Sequence, residues 1–216
     1  MNPLYLLLGL GSLLSVAGLL ALRGAPSSSL MLKGDLDVEC TSQKQCDTAN
    51  QMVRMLSRAV RAGYIGQEVL EFLVAKAYTE SRWSWRAGTN AYNNAARGIL
   101  GLRPESAWDR GLEDISPQMV SAMKDPGWAL ATALDYLWRI GPYVEGPRVT
   151  AMNAACAWAF PFLGKSVQLC RAQRPELFDR WAKALSMAGL PADFGKTPLR
   201  MNYPGIQEMY RTLTND

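Results

Sequence analysis

The feature that most constrains this chain is a run of nineteen residues, 4–22, with no charged side chain. At helical rise it spans roughly 28 Å, close to the hydrocarbon thickness of a bilayer at about 30 Å. Arg23, the Gly24-Ala25-Pro26 turn and three serines stop it. One transmembrane helix is therefore expected at residues 1–23, with a lipid membrane as the partner of residues 4–22. A cleaved secretory signal is the competing reading. It is the weaker fit, because Met1-Asn2-Pro3 carries no basic side chain and Arg23 stands between the apolar run and the nearest small-residue cleavage site. Arg23 and Lys33 follow the span, and by charge counting they put the C-terminal bulk in the cytoplasm. Asp35 and Asp37 partly offset them.

The cysteines point the other way. Four occur, at 40, 46, 156 and 170. An even number suits two disulfides in an oxidising compartment. Cys40 and Cys46 enclose a short polar loop and pair most naturally with each other, which leaves Cys156 with Cys170. The alternative is four free thiols, with Cys156 as part of an apolar core.

Beyond a linker at 24–45, the chain reads as helix after helix. Met52, Met55, Leu56, Ala59 and Val60 recur at helical spacing behind a cap at Asp47 or Thr48, and Gly63 ends that helix. A second helix follows Gly66, with Val69, Leu70, Leu73, Val74 and Ala77 on one face. Further helices are expected near 104–108 and 116–124, over 128–140, 149–160 and 175–188, and near 204–212. No sustained period-two alternation occurs, so the expected class is all-α. With 49% hydrophobic and 19% charged residues, the chain has ample material for a core.

The sequence has no histidine. That excludes Ser-His and Cys-His nucleophilic pairs and His-ligated zinc, and it leaves acid–base work to carboxylate, Lys, Tyr or Cys. No cofactor and no metal are expected. The balance of 23 Lys+Arg against 19 Asp+Glu gives a net charge of +4. This is too small an excess to indicate nucleic acid, and it is consistent with an anionic polymer. Arg82, Arg86, Arg97 and Arg103 cluster in sequence near the segment that carries the chemistry.

That segment is AKAYTESRWSWRAGTNAYNNAARGILGLRP, residues 75–104. Glu80 ends an apolar helix, with Trp83 and Trp85 just after it. A carboxylate flanked by indoles is partly desolvated, and desolvation favours the protonated form that a general acid for glycosidic cleavage needs. Exposed indoles would also offer flat apolar faces to sugars.

The segment resembles the soluble lytic transglycosylase family of the lysozyme-like superfamily. Ala75, Glu80, Ser81, Trp83 and Ala87 match the family's "A-x-x-x-x-E-S", aromatic and Ala pattern. Ala96, Arg97, Gly98, Ile99, Leu100, Leu102 and Pro104 match its "A-x-G-L-M-Q-x-x-P" segment. An Ala-rich helix with a Tyr-Leu pair resembles Ala129, Ala133, Tyr136 and Leu137. The run AMNAACAWAF takes the place of "A-x-A-A-Y-N-A-G". The resemblance covers residues 48–165 and departs at two places: the family's Gln is Gly101, and its Tyr-Asn pair falls on Cys156 and Ala157.

The resemblance implies a lysozyme-like transglycosylase domain at 46–170, followed by a helical extension at 171–216. It makes Glu80 the catalytic residue. Ser81, Trp83, Gly98, Ile99, Leu100, Tyr92 and Tyr136 are then the substrate-binding candidates. The implied reaction is cleavage of the peptidoglycan glycan strand to a 1,6-anhydro product with a single carboxylate. A hydrolase would need a second carboxylate, for which Glu105, Asp109, Glu113, Asp114 and Asp135 are the candidates. Small size, an anchor and a reduced motif suit an envelope machine, or a virion membrane that opens the wall locally during genome delivery, with other envelope or virion proteins as partners. A lysozyme-like fold kept for binding peptidoglycan without turnover is the alternative, and the departures at 101 and 156–157 favour it.

Overall fold

The computed structural model describes residues 36, 38–85, 98–102, 124–140, 149–159 and 166–215. The chain divides into Met1–Leu30 and Met31–Asp216, and every described residue belongs to the second unit. The expected membrane span at 4–22 lies outside the described residues. Among those that are described, no helix is long and apolar enough to cross a membrane.

The described residues form seven α-helices, one 3-10 turn and no named strand, so the class is all-α as expected. In chain order the helices are α1 (Gln43–Arg61), α2 (Gln67–Ser81), α3 (Pro126–Ile140), α4 (Ala151–Ala159), α5 (Val167–Gln173), α6 (Pro175–Met187) and α7 (Ile206–Thr214). The 3-10 turn spans Ala192–Lys196.

Helix α1 begins earlier than the sequence suggested. Ser42, not Asp47 or Thr48, is its N-cap, with the side-chain oxygen accepting from the Gln45 N–H. The final residues of the expected linker are thus part of the folded unit. Leu36 is buried, and the Glu39 N–H donates to the Met187 carbonyl at 2.8 Å. The Cys40–Cys46 disulfide clamps the first turn of α1 to the segment entering it.

Helix α2 is the centre of the core. The expected apolar face was Val69, Leu70, Leu73, Val74 and Ala77, but Phe72 and Ala75 are buried too. A helix apolar on most of its circumference must be surrounded. Here α1 lies on one side and α6 on another, with Trp181 of α6 packed 5.6 Å from Phe72. Helix α7 lies across α3 and α1 through Met209 and Leu213, and Tyr210 stacks on Trp128 at 4.5 Å. Helix α4 is built mostly of small residues, and its Ala151, Ala154, Ala155 and Ala157 allow close approach to α3 and the 3-10 turn.

The residues after 170 therefore pack on the helical core. Two isolated antiparallel bridges, Ile65–Met201 and Thr150–Pro198, lace their loops onto the turns before α2 and α4. Glu68 in the first turn of α2 is almost fully buried, with 8% of its side chain exposed, and accepts three bonds from Arg200: from the backbone N–H, Nε and one terminal nitrogen. Burial pushes the Glu68 carboxyl up. The Arg200 hydrogen bonds, its own backbone N–H and the guanidinium charge outweigh that and leave it below the ordinary value of 4.5.

Candidate active site

The site forms where the last turn of α2 meets the turn at 98–102. Glu80 is the penultimate residue of α2, and 28% of its side chain is exposed. One turn earlier on the same helix face stands Lys76, with only 3% of its side chain exposed. The Lys76 Nζ donates to Glu80 Oε1 at 2.5 Å. The same ammonium lies 5.8 Å from the ring centroid of Trp158 on α4, within cation–π range. A buried ammonium is costly unless paired, and here a carboxylate and an indole face supply the compensation.

The turn at 98–102 is fixed by bonds from both sides. The Ser81 hydroxyl contacts the Ile99 carbonyl at 2.7 Å and accepts the Ser84 N–H at 3.0 Å. The Trp158 indole N–H donates to the Leu100 carbonyl at 3.3 Å. Within the turn, the Gly101 N–H donates to the Gly98 carbonyl at 3.2 Å. Gly98 and Gly101 both adopt left-handed backbone, φ 72° and 58°. Gly101 lies directly against the Glu80 carboxylate: a Cβ there would fall 2.6 Å from Oε2 and 3.1 Å from the Glu80 Cβ. Position 101 is thus held to glycine by both backbone and space.

The structure corrects the expectation that two indoles flank Glu80. Trp83 is 1% exposed, and its N–H donates to the Val74 carbonyl at 2.9 Å. No sugar can reach its face. Trp85 is turned toward α1, where its N–H donates to Gln51 Oε1 at 2.9 Å. The cause is local backbone. Arg82 caps α2 in the left-handed region (φ 51°, ψ 46°) and Trp83 follows at φ 56°, so the chain reverses at once and drives the indole back under the helix. Among the described residues, the groups placed against the Glu80 carboxylate are the Lys76 ammonium and Gly101.

Of the other expected substrate contacts, Ile99 and Leu100 are buried and contribute their carbonyls to the turn, not their side chains to a surface. Ser81 is bonded to backbone. Tyr136 on α3 is buried, edge-on to Trp158 at 5.1 Å, and so supports the platform beneath Lys76. Tyr92 lies outside the described residues, as do Arg86, Arg97, Arg103 and the carboxylates Glu105, Asp109, Glu113 and Asp114. Asp135, the remaining candidate for a second carboxylate, is committed elsewhere. It accepts from Arg139 Nε at 2.7 Å and from the Tyr203 hydroxyl at 2.9 Å. Burial, and then the bond to Asp135, push the Tyr203 phenol upward.

The cysteines pair as expected, Cys40 with Cys46 and Cys156 with Cys170. Cys156 is fully buried and forms part of a cross-link between α4 and α5.

Sequence reasoning passed over Lys76 and Trp158. The signal for Lys76 was present: a lone cation within the run VLEFLVAKAY, four residues before Glu80, the spacing at which helical side chains meet. Comparison with protein-family profiles, with curated protein sequences and with solved structures gives no match for this chain.

Proposed function

We propose that the chain is a membrane-anchored lytic transglycosylase of lysozyme-like fold that cuts peptidoglycan glycan strands to 1,6-anhydro products, with residues 4–22 as the anchor. The observation that supports this reading most is the meeting of the two motif pieces. Glu80-Ser81 and Gly98 to Leu102 are some twenty residues apart in sequence, yet Ser81 bonds to Ile99 and the Glu80 carboxylate rests on Gly101. The convergence sets a partly exposed carboxylate on an ordered floor, and one such group is what this reaction requires.

In the proposed reaction Glu80 gives a proton to the glycosidic oxygen as the bond to the anomeric carbon breaks. The resulting carboxylate then removes the proton from the sugar's own 6-hydroxyl, whose oxygen closes on the anomeric carbon. No water enters the product, so no second carboxylate is needed, in keeping with the commitment of Asp135 to Arg139 and Tyr203.

One observation favours a second reading, a lysozyme-like protein that binds peptidoglycan without turnover: Cys156 is buried in a disulfide where the family presents a Tyr. Product analysis separates the two. The transglycosylase reading requires anhydro-muropeptides from purified peptidoglycan, lost in Glu80→Gln. The binding reading requires that the chain co-sediment with peptidoglycan and release nothing.

A further inference from the structure

Helix α3 buries ten of its fifteen residues, yet it leaves the Trp138 side chain half in water, at 49% exposure. We propose that Trp138, backed by Tyr203, is a stacking platform for one sugar ring of the glycan strand, outside the motif that carries Glu80. The choice of sugar rests on the peptidoglycan reading; the platform rests on its own geometry.

Tryptophan is on average among the more buried side chains, and an indole left half exposed forfeits much of the gain from burial. This indole is nonetheless held in place. Tyr203 stacks on it, with ring centroids 5.9 Å apart and 27° between the planes. The Tyr203 hydroxyl donates to one Asp135 oxygen, and Arg139 Nε donates to the other. The backing ring is therefore itself fixed, and little side-chain freedom is left to lose when a ligand stacks on the pair. Trp83, Trp85 and Trp158 donate their indole N–H groups to Val74, Gln51 and Leu100, whereas among the described residues no acceptor meets that of Trp138.

The surroundings select the occupant. Asp135 and Arg139 are both partly exposed, three residues before and one after Trp138 on the same helix. Pressing this strip into lipid would desolvate an ion pair, which hydrocarbon penalises. A stable protein partner needs about 800 Å² on each side. Among the described residues only Trp138 and Leu169 are large, apolar and exposed, and they stand on different helices, α3 and α5. A sugar ring suits the pattern: its C–H face covers an indole, and its hydroxyls meet polar groups at the edge. The strip is also continuous with the candidate active site. Arg139 lies 5.9 Å over the Tyr136 ring, and Tyr136 is edge-on to Trp158, the indole beside Lys76.

The test uses the full chain in detergent. A soluble N-acetylglucosamine oligosaccharide is titrated in while the Trp138 indole N–H resonance, assigned by its loss in Trp138→Tyr, is followed by NMR. Affinity for purified peptidoglycan is read by co-sedimentation. The resonance is expected to shift saturably, and Trp138→Ala is expected to weaken co-sedimentation about tenfold, the scale of one lost stacking contact. A resonance that stays put, or one that moves only when the detergent is exchanged for phosphatidylglycerol vesicles, overturns the platform. So does a folded Trp138→Ala chain that co-sediments as well as wild type. The titration needs only the wild-type fold, so it decides the matter if Trp138→Ala does not fold. Anhydro-muropeptide release from the same preparation separates the two claims. Release beside an unmoved Trp138 signal overturns the platform alone, and a saturable shift without release overturns the transglycosylase reading alone.

Discussion

Gly101→Ala is the sharpest perturbation of the proposed site that a single methyl can make. The residue sits at φ 58°, where a side chain costs about 1–2 kcal/mol. The new Cβ would lie 2.6 Å from Glu80 Oε2, 3.1 Å from its Cβ and 3.3 Å from its Cδ. The turn cannot yield easily, because Ser81 and Trp158 hold the carbonyls of Ile99 and Leu100. Glu80 is the freer partner, and the carboxylate should swing toward solvent. That breaks the contact with Lys76 and leaves a nearly buried ammonium against the Trp158 indole without its carboxylate. An orphaned buried polar group costs about 1–3 kcal/mol, and the exposure of Glu80 keeps the effect from exceeding that range.

The two contributions give an expected loss of about 2–5 kcal/mol. It is measurable as a shift of the urea midpoint at constant slope, followed by circular dichroism. The same substitution in a Glu80→Ala background should cost about 1–2 kcal/mol, since no carboxylate remains to be displaced. Equal costs in the two backgrounds, or a single-variant loss below about 0.5 kcal/mol, would refute the claim that Gly101 keeps the Lys76–Glu80 pair together.

Three further outcomes follow from the fold. Replacing both Cys156 and Cys170 by Ala opens a cross-link of sequence separation 14 and should lower unfolding stability by about 3 kcal/mol; a loss under 1 kcal/mol in a denaturant titration would contradict the pairing. Glu68 has a folded-state value below its ordinary 4.5, so its contribution is present above that pH and fades as pH falls through the lower folded value. A melting-temperature profile should therefore drop on the acid side of 4.5, with a smaller drop in Arg200→Met; identical acid limbs would argue against this ion pair. Arg82→Gly relieves a left-handed cap at φ 51° and should raise stability by about 0.5–1 kcal/mol, against which a thermal melt showing a clear loss would count.

How much of this was legible in the sequence differs element by element. Helices α1, α2, α3, α4 and α6 were visible because apolar residues recur at helical spacing between Gly63, Gly66, Gly189 and several prolines, punctuation that acts locally. Helix α5 was not, since its seven residues bury only Cys170 and leave almost no pattern to read. The disulfide pairing followed from four cysteines of which two enclose a short loop. Glu80 was found from its motif, but its surroundings were misjudged. Two consecutive left-handed residues, neither of them glycine, send Trp83 into the core, and no propensity argument foresees that for Arg82-Trp83. Lys76 was hidden because a helix wrapped on most sides absorbs a cation into what reads as an apolar stripe.

The central claim is that the group at position 80 breaks glycosidic bonds. The direct measurement is mass spectrometry of the soluble products after the full-length chain is incubated with purified peptidoglycan, beside a folded Glu80→Gln variant. Anhydro-muropeptides from the first and none from the second are the predicted result; no release from either, or equal release from both, contradicts it.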